Sequence, residues 1–237
     1  MTRRTRQGQR GLTPRGSDPV GIAALVSGGL DSAVLVASLA RAGRRVVPLF
    51  IRQGLRWETV ERYWLGRWLA AVPGRLAPLV TLEMPVGDLY EARHWSVAGR
   101  RVPQSRDPDE AVELPGRNLL LAAKAAVYCA RHGIPQMAFG TLRGNPFADA
   151  TPRFRRALGA ALTVGLGRRV AIVAPLAGLT KAQVIRRGRA LPLGWTFSCL
   201  QPRGRRHCGR CQKCGERRRG FREAGILDPT SYAVPGL

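Results

Sequence analysis

A run of small and polar residues follows an apolar segment near the N-terminus, and its residue types suit phosphate binding. Ser27-Gly28-Gly29-Leu30-Asp31-Ser32 comes directly after four apolar residues. Two consecutive glycines let backbone amides approach a ligand without obstruction by Cβ atoms, and the amides that open a following helix point toward phosphate oxygens. Ser27 and Ser32 add hydroxyl donors, and Asp31 could hold Mg²⁺ or ribose or cap the helix. The segment predicts an anion-binding turn, with an ordinary capped strand-to-helix turn as the alternative.

Two other phosphate-binding patterns are excluded at this turn. A Walker A loop needs G-K-[ST] and a dinucleotide fingerprint needs G-x-G-x-x-G, and neither occurs here. The string S-G-G-L-D-S resembles the pyrophosphate loop of the ATP-pyrophosphatase (PP-loop) superfamily. That resemblance implies cleavage of ATP between its α- and β-phosphates, with adenylation of a substrate oxygen and release of pyrophosphate.

Four cysteines near the C-terminus have the spacing of metal ligands. Eight residues separate Cys199 from Cys208, and two residues separate Cys208 from Cys211 and Cys211 from Cys214. Four thiolates in a glycine-containing, loop-rich segment suit tetrahedral zinc, with an iron–sulfur cluster as the alternative. His207 is expected to be a solvated neighbour of this site.

These motifs need a scaffold, and the pattern along the chain predicts one α/β domain. Apolar strand-like runs alternate with helix-like segments, which favours a doubly wound parallel sheet. Residues 86–113 lose this periodicity and are expected to form a lid or binding loop. Strands are expected at 21–27, 45–51, 76–84, 136–140 and 170–174, and helices at 31–42, 57–72, 118–132 and 181–190.

The composition favours a polyanionic partner. The 237 residues include 39 basic and 15 acidic residues, a formal net charge of +24, so nucleotides, nucleic acids and phosphate-rich substrates all qualify. The sequence shows no secretion signal and no apolar run of about 20 residues, so neither a membrane partner nor export is expected, and the chain is placed in the cytoplasm. Residues 1–17 are expected to be a disordered arginine-rich arm, 18–198 an ATP-binding domain, and 199–237 a zinc-binding lobe packed on it.

Taken in order, the motifs resemble those of the 7-cyano-7-deazaguanine synthases. The glycine turn, Pro115-Gly116-Arg117-Asn118 and the terminal cysteines occur in that family's order, and the likeness runs from about residue 19 to 229. It implies a Rossmann-like adenine-nucleotide hydrolase fold and ATP-dependent conversion of 7-carboxy-7-deazaguanine, with ammonia, to an amide and then a nitrile. The chain departs from the family at 53–57 and 141–149, two segments expected to line the substrate pocket.

The resemblance also implies a set of site residues, with ATP, Mg²⁺ and Zn²⁺ as cofactors. Nucleic acid and a homodimer are left open as partners. Catalytic roles fall on Asp31, Ser32 and Lys181; ATP contacts on Leu25, Val26, Ser27, Gly28, Gly29, Leu30, Asp31, Ser32, Ala33, Arg117 and Asn118; substrate contacts on Arg56, Arg117, Asn118 and Asp149; and metal ligation on Cys199, Cys208, Cys211 and Cys214.

Three other functions remain open from sequence. A divergent relative could modify a macromolecule with a deazapurine, for instance in DNA modification or antiphage defence, and the altered pocket segments motivate it. An RNA-modifying PP-loop enzyme such as a tRNA thiolase would use cysteines in sulfur transfer. A zinc-stabilised nucleic-acid-binding protein would use the fold without catalysis.

Overall fold

Five parallel strands form the single sheet of the described chain. The computed structural model describes residues 21–234, so the predicted arm at 1–17 lies outside the described residues. The sheet order is β3-β2-β1-β4-β5, and every neighbouring pair is parallel. This confirms the predicted doubly wound α/β fold. The strands are β1 (Ile22–Leu25), β2 (Val46–Arg52), β3 (Val80–Glu83), β4 (Gln136–Ala138) and β5 (Ala171–Val173).

Helices cover both faces of the sheet, because alternate strand residues point in opposite directions. Ile22 and Ala24 pack into one core with α1, α6 and α7, whereas Ala23 packs into a second core with α4. No helix within 21–234 is long and apolar enough to cross a membrane. The helices are α1 (Leu30–Arg41), α2 (Glu58–Ala71), α3 (Trp95–Ala98), α4 (Arg117–Arg131), α5 (Pro152–Leu166), α6 (Lys181–Arg187) and α7 (Gln212–Ala224), with 3-10 turns at Asp109–Val112, Ala148–Ala150 and Leu193–Trp195.

Three helices were not predicted from the sequence, and the shortest of them, α3, lies within residues 86–113, which were expected to form a lid or binding loop. Residues 152–166 received no assignment, and the cysteine segment was expected to be loop-rich, whereas α7 begins directly after Cys211. Helix α5 does carry Leu158, Leu162 and Leu166 at helical spacing, and these side chains pack partly buried against the second core. Helix α7 is rich in arginine and lacks a clear apolar stripe. Tertiary contacts hold α7 instead, since Phe221 and Ala224 join the core beside α1 and α6.

The sheet order reverses its direction between β1 and β4. The chain moves outward from β1 through β2 to β3, then returns to place β4 on the other side of β1. In open parallel sheets, ligands bind at the carboxyl ends of the strands beside such a switch point. The glycine turn follows β1 and Phe139-Gly140-Thr141 follows β4, so both lie at this place. A Cβ at Gly140 would stand 3.4 Å from the backbone of Asp31 and Ser32, which shows how closely these segments approach.

The contact between α6 and α7 depends on a glycine. A Cβ at Gly220 would lie 2.6 Å from Lys181 Cγ and 2.9 Å from Ile185 Cδ1, closer than side chains can approach without movement. Ile185 is fully buried. We expect Gly220→Ala to lower the free energy of unfolding by about 1–3 kcal/mol, measured by denaturant titration.

Gly66→Ala serves as the matched control. Gly66 lies inside the exposed part of α2 and nothing stands within 4 Å of its added Cβ. This substitution is expected to raise stability by about 0.5–1 kcal/mol, because alanine favours the helix. Equal responses of the two variants would contradict the packing argument.

Candidate active site

The glycine turn is fixed in position by close backbone contacts with two other parts of the chain. Gly28 has φ +81°, and its carbonyl accepts a 2.7 Å hydrogen bond from the Phe197 backbone N–H. A Cβ at Gly28 would stand 2.9 Å from the Glu61 carbonyl oxygen. The turn thus lies between α2 and the start of the cysteine segment, where a side chain at position 28 would displace one of them.

Helix α1 begins immediately after this turn without a side-chain cap. Gly29 is the capping residue; its carbonyl accepts from the Ala33 N–H at 3.0 Å and from Ser32 Oγ at 3.0 Å. Ser27 Oγ accepts a 3.3 Å bond from the Gly29 N–H. The Asp31 carboxylate does not cap the helix, contrary to one of the two roles suggested by the sequence, because it pairs with a lysine.

A chain of alternating charges runs from the turn to the cysteine segment. Lys181 Nζ donates to both Asp31 oxygens at 2.9 and 2.7 Å and lies 2.7 Å from Glu216 Oε1. The other Glu216 oxygen lies 2.6 Å from Lys213 Nζ. All four side chains line the same pocket. The chain joins α1, α6 and α7, so it fixes the floor of the pocket by electrostatics as well as by packing.

The network keeps its members charged. Burial alone would lower the pKa of Lys181, but Asp31 and Glu216 outweigh burial and raise this pKa above its usual value. Burial would likewise raise the pKa of Glu216, whereas Lys181 and Lys213 lower it well below its usual value. Lys181 is therefore a fixed cation that can meet a phosphate, and it is not a proton acceptor near neutral pH.

Aromatic and aliphatic side chains form the opposite wall of the pocket. The cavity measures about 310 Å³, within the range of small-ligand sites. Trp57 and Trp95 stack with ring centroids 5.7 Å apart and an interplanar angle of 14°. Phe139 and Phe147 also line the cavity. A flat ring system matches such a wall.

The start of α4 contributes two polar side chains. Gly116 precedes the helix with φ +73°, and Arg117 and Asn118 face the cavity. Arg117 Nε donates to Gln53 Oε1 at 2.7 Å. Asp149 accepts from both the backbone N–H and Nδ2 of Asn118, at 2.8 and 2.9 Å. Asp149 does not itself line the cavity, so its contact with the site runs through Asn118.

Two glutamates on α2 have opposite surroundings. Glu58 accepts hydrogen bonds from the backbone N–H groups of Gln53 and Gly54, the latter at 3.0 Å. Glu61 is only 7% exposed and lines the cavity. Burial raises the pKa of Glu61 to about 8, with Arg117 lowering it and Glu58 raising it further. Both residues therefore line the pocket, but the Glu58 carboxylate is held by backbone N–H groups of the loop before α2, whereas the Glu61 carboxylate has no such partner among the described residues.

The structure gathers most of the predicted site residues around one cavity. Arg56 does not line it: this exposed side chain packs beside Gly99, where a Cβ would meet its Nε at 2.8 Å. Gly28 and Ala33 belong to the predicted set but do not line the cavity. The predicted residues that do line it are Leu25, Val26, Ser27, Gly29, Leu30, Asp31, Ser32, Arg117, Asn118 and Lys181.

Sequence reasoning did not single out several residues that line the pocket. Glu61, Glu216 and Lys213 were not singled out, because isolated charges on helices usually face solvent. Trp57, by contrast, belongs to the 53–57 segment that was expected to line the substrate pocket, and it is buried and lines the pocket. Only the apolar surroundings of Glu61 in the three-dimensional structure distinguish it from a surface glutamate.

The four C-terminal cysteines converge on one point. Their Sγ atoms all lie within 4.8 Å of one another and are buried. The Sγ atoms of Cys211 and Cys214 are 3.5 Å apart, and the Cys199–Cys211 and Cys208–Cys214 pairs are 3.9 Å apart. A tetrahedron of sulfurs around an ion at about 2.3 Å has edges of about 3.8 Å, whereas a disulfide needs about 2.0 Å. The geometry fits a tetrahedral metal site.

Backbone amides support the sulfurs as thiolates. The Cys208 N–H donates to Cys199 Sγ at 3.1 Å, and the Cys211 N–H donates to Cys208 Sγ at 3.3 Å. Further N–H donors come from Leu200 and Gln201. These bonds offset part of the negative charge that four thiolates bring to a buried site.

His207 is a buried residue, and the expectation that it is solvated was wrong. It is 3% exposed, its ring lies 4.5 Å from that of Phe197, and its Nε2 accepts a 3.2 Å bond from the Ser198 N–H. Burial lowers its pKa to about 2, so the ring is neutral. It positions the segment that carries Cys199 and is not one of the four clustered metal ligands.

The two α2 glutamates predict opposite effects on stability. Glu61 has a pKa of about 8 in the folded protein against an ordinary value of 4.5, so the folded protein binds one more proton than the unfolded chain between these two pH values. Ionisation of Glu61 therefore lowers the free energy of unfolding progressively as the pH rises between these two values. Glu61→Gln should therefore raise the melting temperature more at pH 9 than at pH 5, as measured by thermal unfolding.

Glu58→Gln is the matched comparison on the same helix. It replaces one acceptor oxygen by an amide that faces the backbone N–H groups of Gln53 and Gly54, and should lower the melting temperature at both pH values. A Glu61→Gln variant as destabilised as this one would show that Glu61 has a structural partner.

Similar proteins agree on one family. The family described as Queuosine biosynthesis protein QueC matches residues 22–225. A 7-cyano-7-deazaguanine synthase of Anaeromyxobacter sp. (strain Fw109-5) is 35% identical, covering 88% of this chain and 94% of the relative. One of Thiobacillus denitrificans (strain ATCC 25259 / T1) is 34% identical, covering 88% and 96%.

Among solved structures, a predicted subunit of tRNA methyltransferase from Methanocaldococcus jannaschii aligns with a TM-score of 0.49 and 15% identity, over 92% of this chain and 93% of that one. The assignment does not depend on that likeness, because the family match and the relatives each span most of the sequence. The chain belongs to the family of the queuosine biosynthesis protein QueC.

Proposed function

We propose that this chain is an ATP-dependent carbon–nitrogen ligase that converts 7-carboxy-7-deazaguanine and ammonia into 7-cyano-7-deazaguanine. Family membership and relatives that carry the name 7-cyano-7-deazaguanine synthase support this activity. The structural observation that carries it is the cavity at the switch point, where the glycine turn, Asp31 and Lys181 face an aromatic wall. The macromolecule-modifying and non-catalytic alternatives are not favoured, since the curated relatives share one small-molecule activity.

The turn and the start of α1 would hold the phosphates of ATP. Helix α1 has 12 residues and no side-chain cap, so the backbone amides of its first turn are available to an anion. Lys181 supplies a fixed positive charge at the same end. Arg117 and Asn118 would contact the nucleotide or the deazapurine from the start of α4.

The chemistry requires activation of an oxygen that is otherwise a poor leaving group. A carboxylate oxygen of the substrate attacks the α-phosphorus of ATP, the α–β bond breaks, and pyrophosphate leaves. Ammonia then adds to the activated carbonyl, and AMP departs with the oxygen to leave the amide. Activation of the amide oxygen and its loss, with the amide protons, yields the nitrile. Amides of the turn and Lys181 stabilise the negative charge that develops on phosphate oxygens.

Asp31 would hold Mg²⁺ beside the phosphates. A carboxylate at the mouth of a phosphate-binding turn is a preferred type of magnesium ligand, and the Asp31 side chain is 29% exposed to the pocket and solvent. The ion would neutralise phosphate charge there. Lys181 holds Asp31 in position through both carboxylate oxygens.

The metal bound by the four cysteines would be zinc with a structural role. All four ligands come from protein, which leaves no open position for substrate, and the sulfur spacing fits Zn–S distances. Residues 199–237 would form a metal-stabilised lobe on the ATP-binding domain at 18–198. Such a lobe supplies Leu200, Lys213 and Glu216 to the cavity, directly after Phe197 and Ser198 of the ATP-binding domain.

Replacement of Asp31 tests the proposed reaction. Asp31→Asn should reduce formation of both pyrophosphate and nitrile by at least about 100-fold, because the metal ligand and the partner of Lys181 are lost together. Products from the purified full-length protein with the deazapurine acid, ammonia and Mg-ATP would be measured by mass spectrometry.

Asp88→Asn provides an exposed control in the long loop and should keep wild-type turnover. Both variants should retain the wild-type circular dichroism spectrum. A fully active Asp31→Asn variant would remove the assignment of the turn, and wild-type protein that leaves the acid unchanged under these conditions would refute the proposed activity.

Metal removal tests the role of the cysteine cluster. The purified protein should be colourless with one zinc per chain, and chelation at raised temperature should lower its melting temperature by several degrees, with recovery when zinc is added. Cys208→Ser should lose the metal, whereas Cys129→Ala should keep it, since Cys129 lies in the core of α4. A red-brown preparation containing iron would contradict the zinc assignment.

A further inference from the structure

Glu61 is a buried carboxyl group without a hydrogen-bonding partner among residues 21–234. Its side chain lines the cavity at 7% exposure. Among residues 21–234, no hydrogen bond or ion pair engages its carboxylate, whereas Glu58 one turn earlier is engaged by two backbone N–H groups. A buried carboxyl without a partner costs stability. Its position in a ligand pocket indicates that the partner arrives with the ligand.

The cavity around Glu61 suits a flat ring. Trp57 and Trp95 line it as a nearly parallel pair, and Phe139 and Phe147 add further aromatic surface. A carboxylate offers two acceptor oxygens and no donor. It therefore complements a ring edge that presents two adjacent N–H donors. A 2-amino-pyrimidinone edge has this pattern in its ring N–H and exocyclic amine, whereas the adenine edge presents one acceptor and one donor.

We propose that Glu61 is a specificity-determining residue, whose carboxylate accepts hydrogen bonds from the ring N–H and the 2-amino group of the deazapurine substrate. This inference rests on the proposed function, because it assigns a contact within that same pocket. In the proposed function the glycine turn and Lys181 hold ATP at the floor of the cavity. Glu61 then determines which heterocycle is activated.

The charges around Glu61 give the contact a pH dependence. Glu58 on the same helix and Arg117 on α4 are the charged groups that act on it, and Asp31, Lys181, Lys213 and Glu216 across the cavity are paired with one another. The empty pocket holds Glu61 with a pKa of about 8. Because the ring is bound by the ionised form, affinity for it should rise by about tenfold per pH unit up to about pH 8 and then level off.

The first test compares Glu61→Gln with wild type in the full-length protein. Binding of the deazapurine acid is measured by calorimetric titration without ATP or ammonia, and KM values are measured with both present. We expect Glu61→Gln to weaken binding of the acid and to raise its KM at least about tenfold, since the amide nitrogen faces ring donors. The KM for ATP should change less than about twofold, and the pH dependence of acid binding should disappear.

The second test asks whether Glu61→Gln reverses the preference of the protein between the 2-amino acid and a 2-oxo analogue. Glutamine offers one acceptor and one donor, which complements the analogue whose 2-amino group is replaced by a 2-oxo group. Glu61→Gln should therefore bind the 2-oxo analogue more tightly than the 2-amino acid, whereas wild type should do the opposite. Glu223→Gln, an exposed substitution on α7, should behave as wild type toward both compounds. A residue with a merely structural role would not exchange the order of the two compounds.

Three outcomes would overturn the assignment. A raised KM for ATP with unchanged acid binding would mean that Glu61 contacts the nucleotide. Equal loss of affinity for both acids in Glu61→Gln would mean that the residue only shapes the pocket, and a wild-type affinity that does not vary with pH would exclude an ionised contact. Failure of the proposed function is distinguishable, because wild type would then bind neither acid or would bind the acid without producing nitrile.

Discussion

The ammonium group of Lys181 lies between two carboxylates from different helices, and the arrangement of the site depends on this contact. Asp31 comes from the helix that opens at the glycine turn, and Glu216 comes from the helix that begins at the cysteine cluster. An ammonium buried without both partners would be costly, and either carboxylate without the lysine would be repelled by the other. The three charges therefore require the turn, α6 and α7 to assemble together.

This dependence links the cysteine cluster, far along the chain, to the glycine turn. The Phe197 N–H donates to the carbonyl of Gly28, and two residues later Cys199 enters the metal cluster. Helix α7 begins after Cys211 and carries Glu216 to Lys181. A tetrahedral ion would fix the cysteine segment, and that segment fixes one side of the glycine turn. The cysteine cluster and the glycine turn are thus connected through two short stretches of backbone and one ion pair.

The two glutamates of α2 serve different purposes, one in stabilising the fold and the other in the proposed contact with the ligand. Glu58 stabilises the loop before the helix by accepting from backbone amides, whereas Glu61, three residues later, faces the cavity at a cost to the empty protein. A site that reads polar groups on its ligand must leave its own polar groups unpaired until the ligand arrives. The aromatic wall provides the low-dielectric surroundings in which such a contact discriminates strongly.

The sequence by itself determined the alternating α/β order and located the glycine turn and the cysteine cluster, because each depends on residues close together along the chain: an apolar run followed by Ser27-Gly28-Gly29, or cysteines two residues apart. Only the tertiary structure decided that Arg56 lies outside the cavity, that Asp149 reaches the site through Asn118, and that α7 is a helix. These outcomes depend on contacts between distant segments, and no local pattern encodes them. The burial of Glu61 is of this kind: its environment is assembled from four separate parts of the chain, so its unusual chemistry appears only when they pack together.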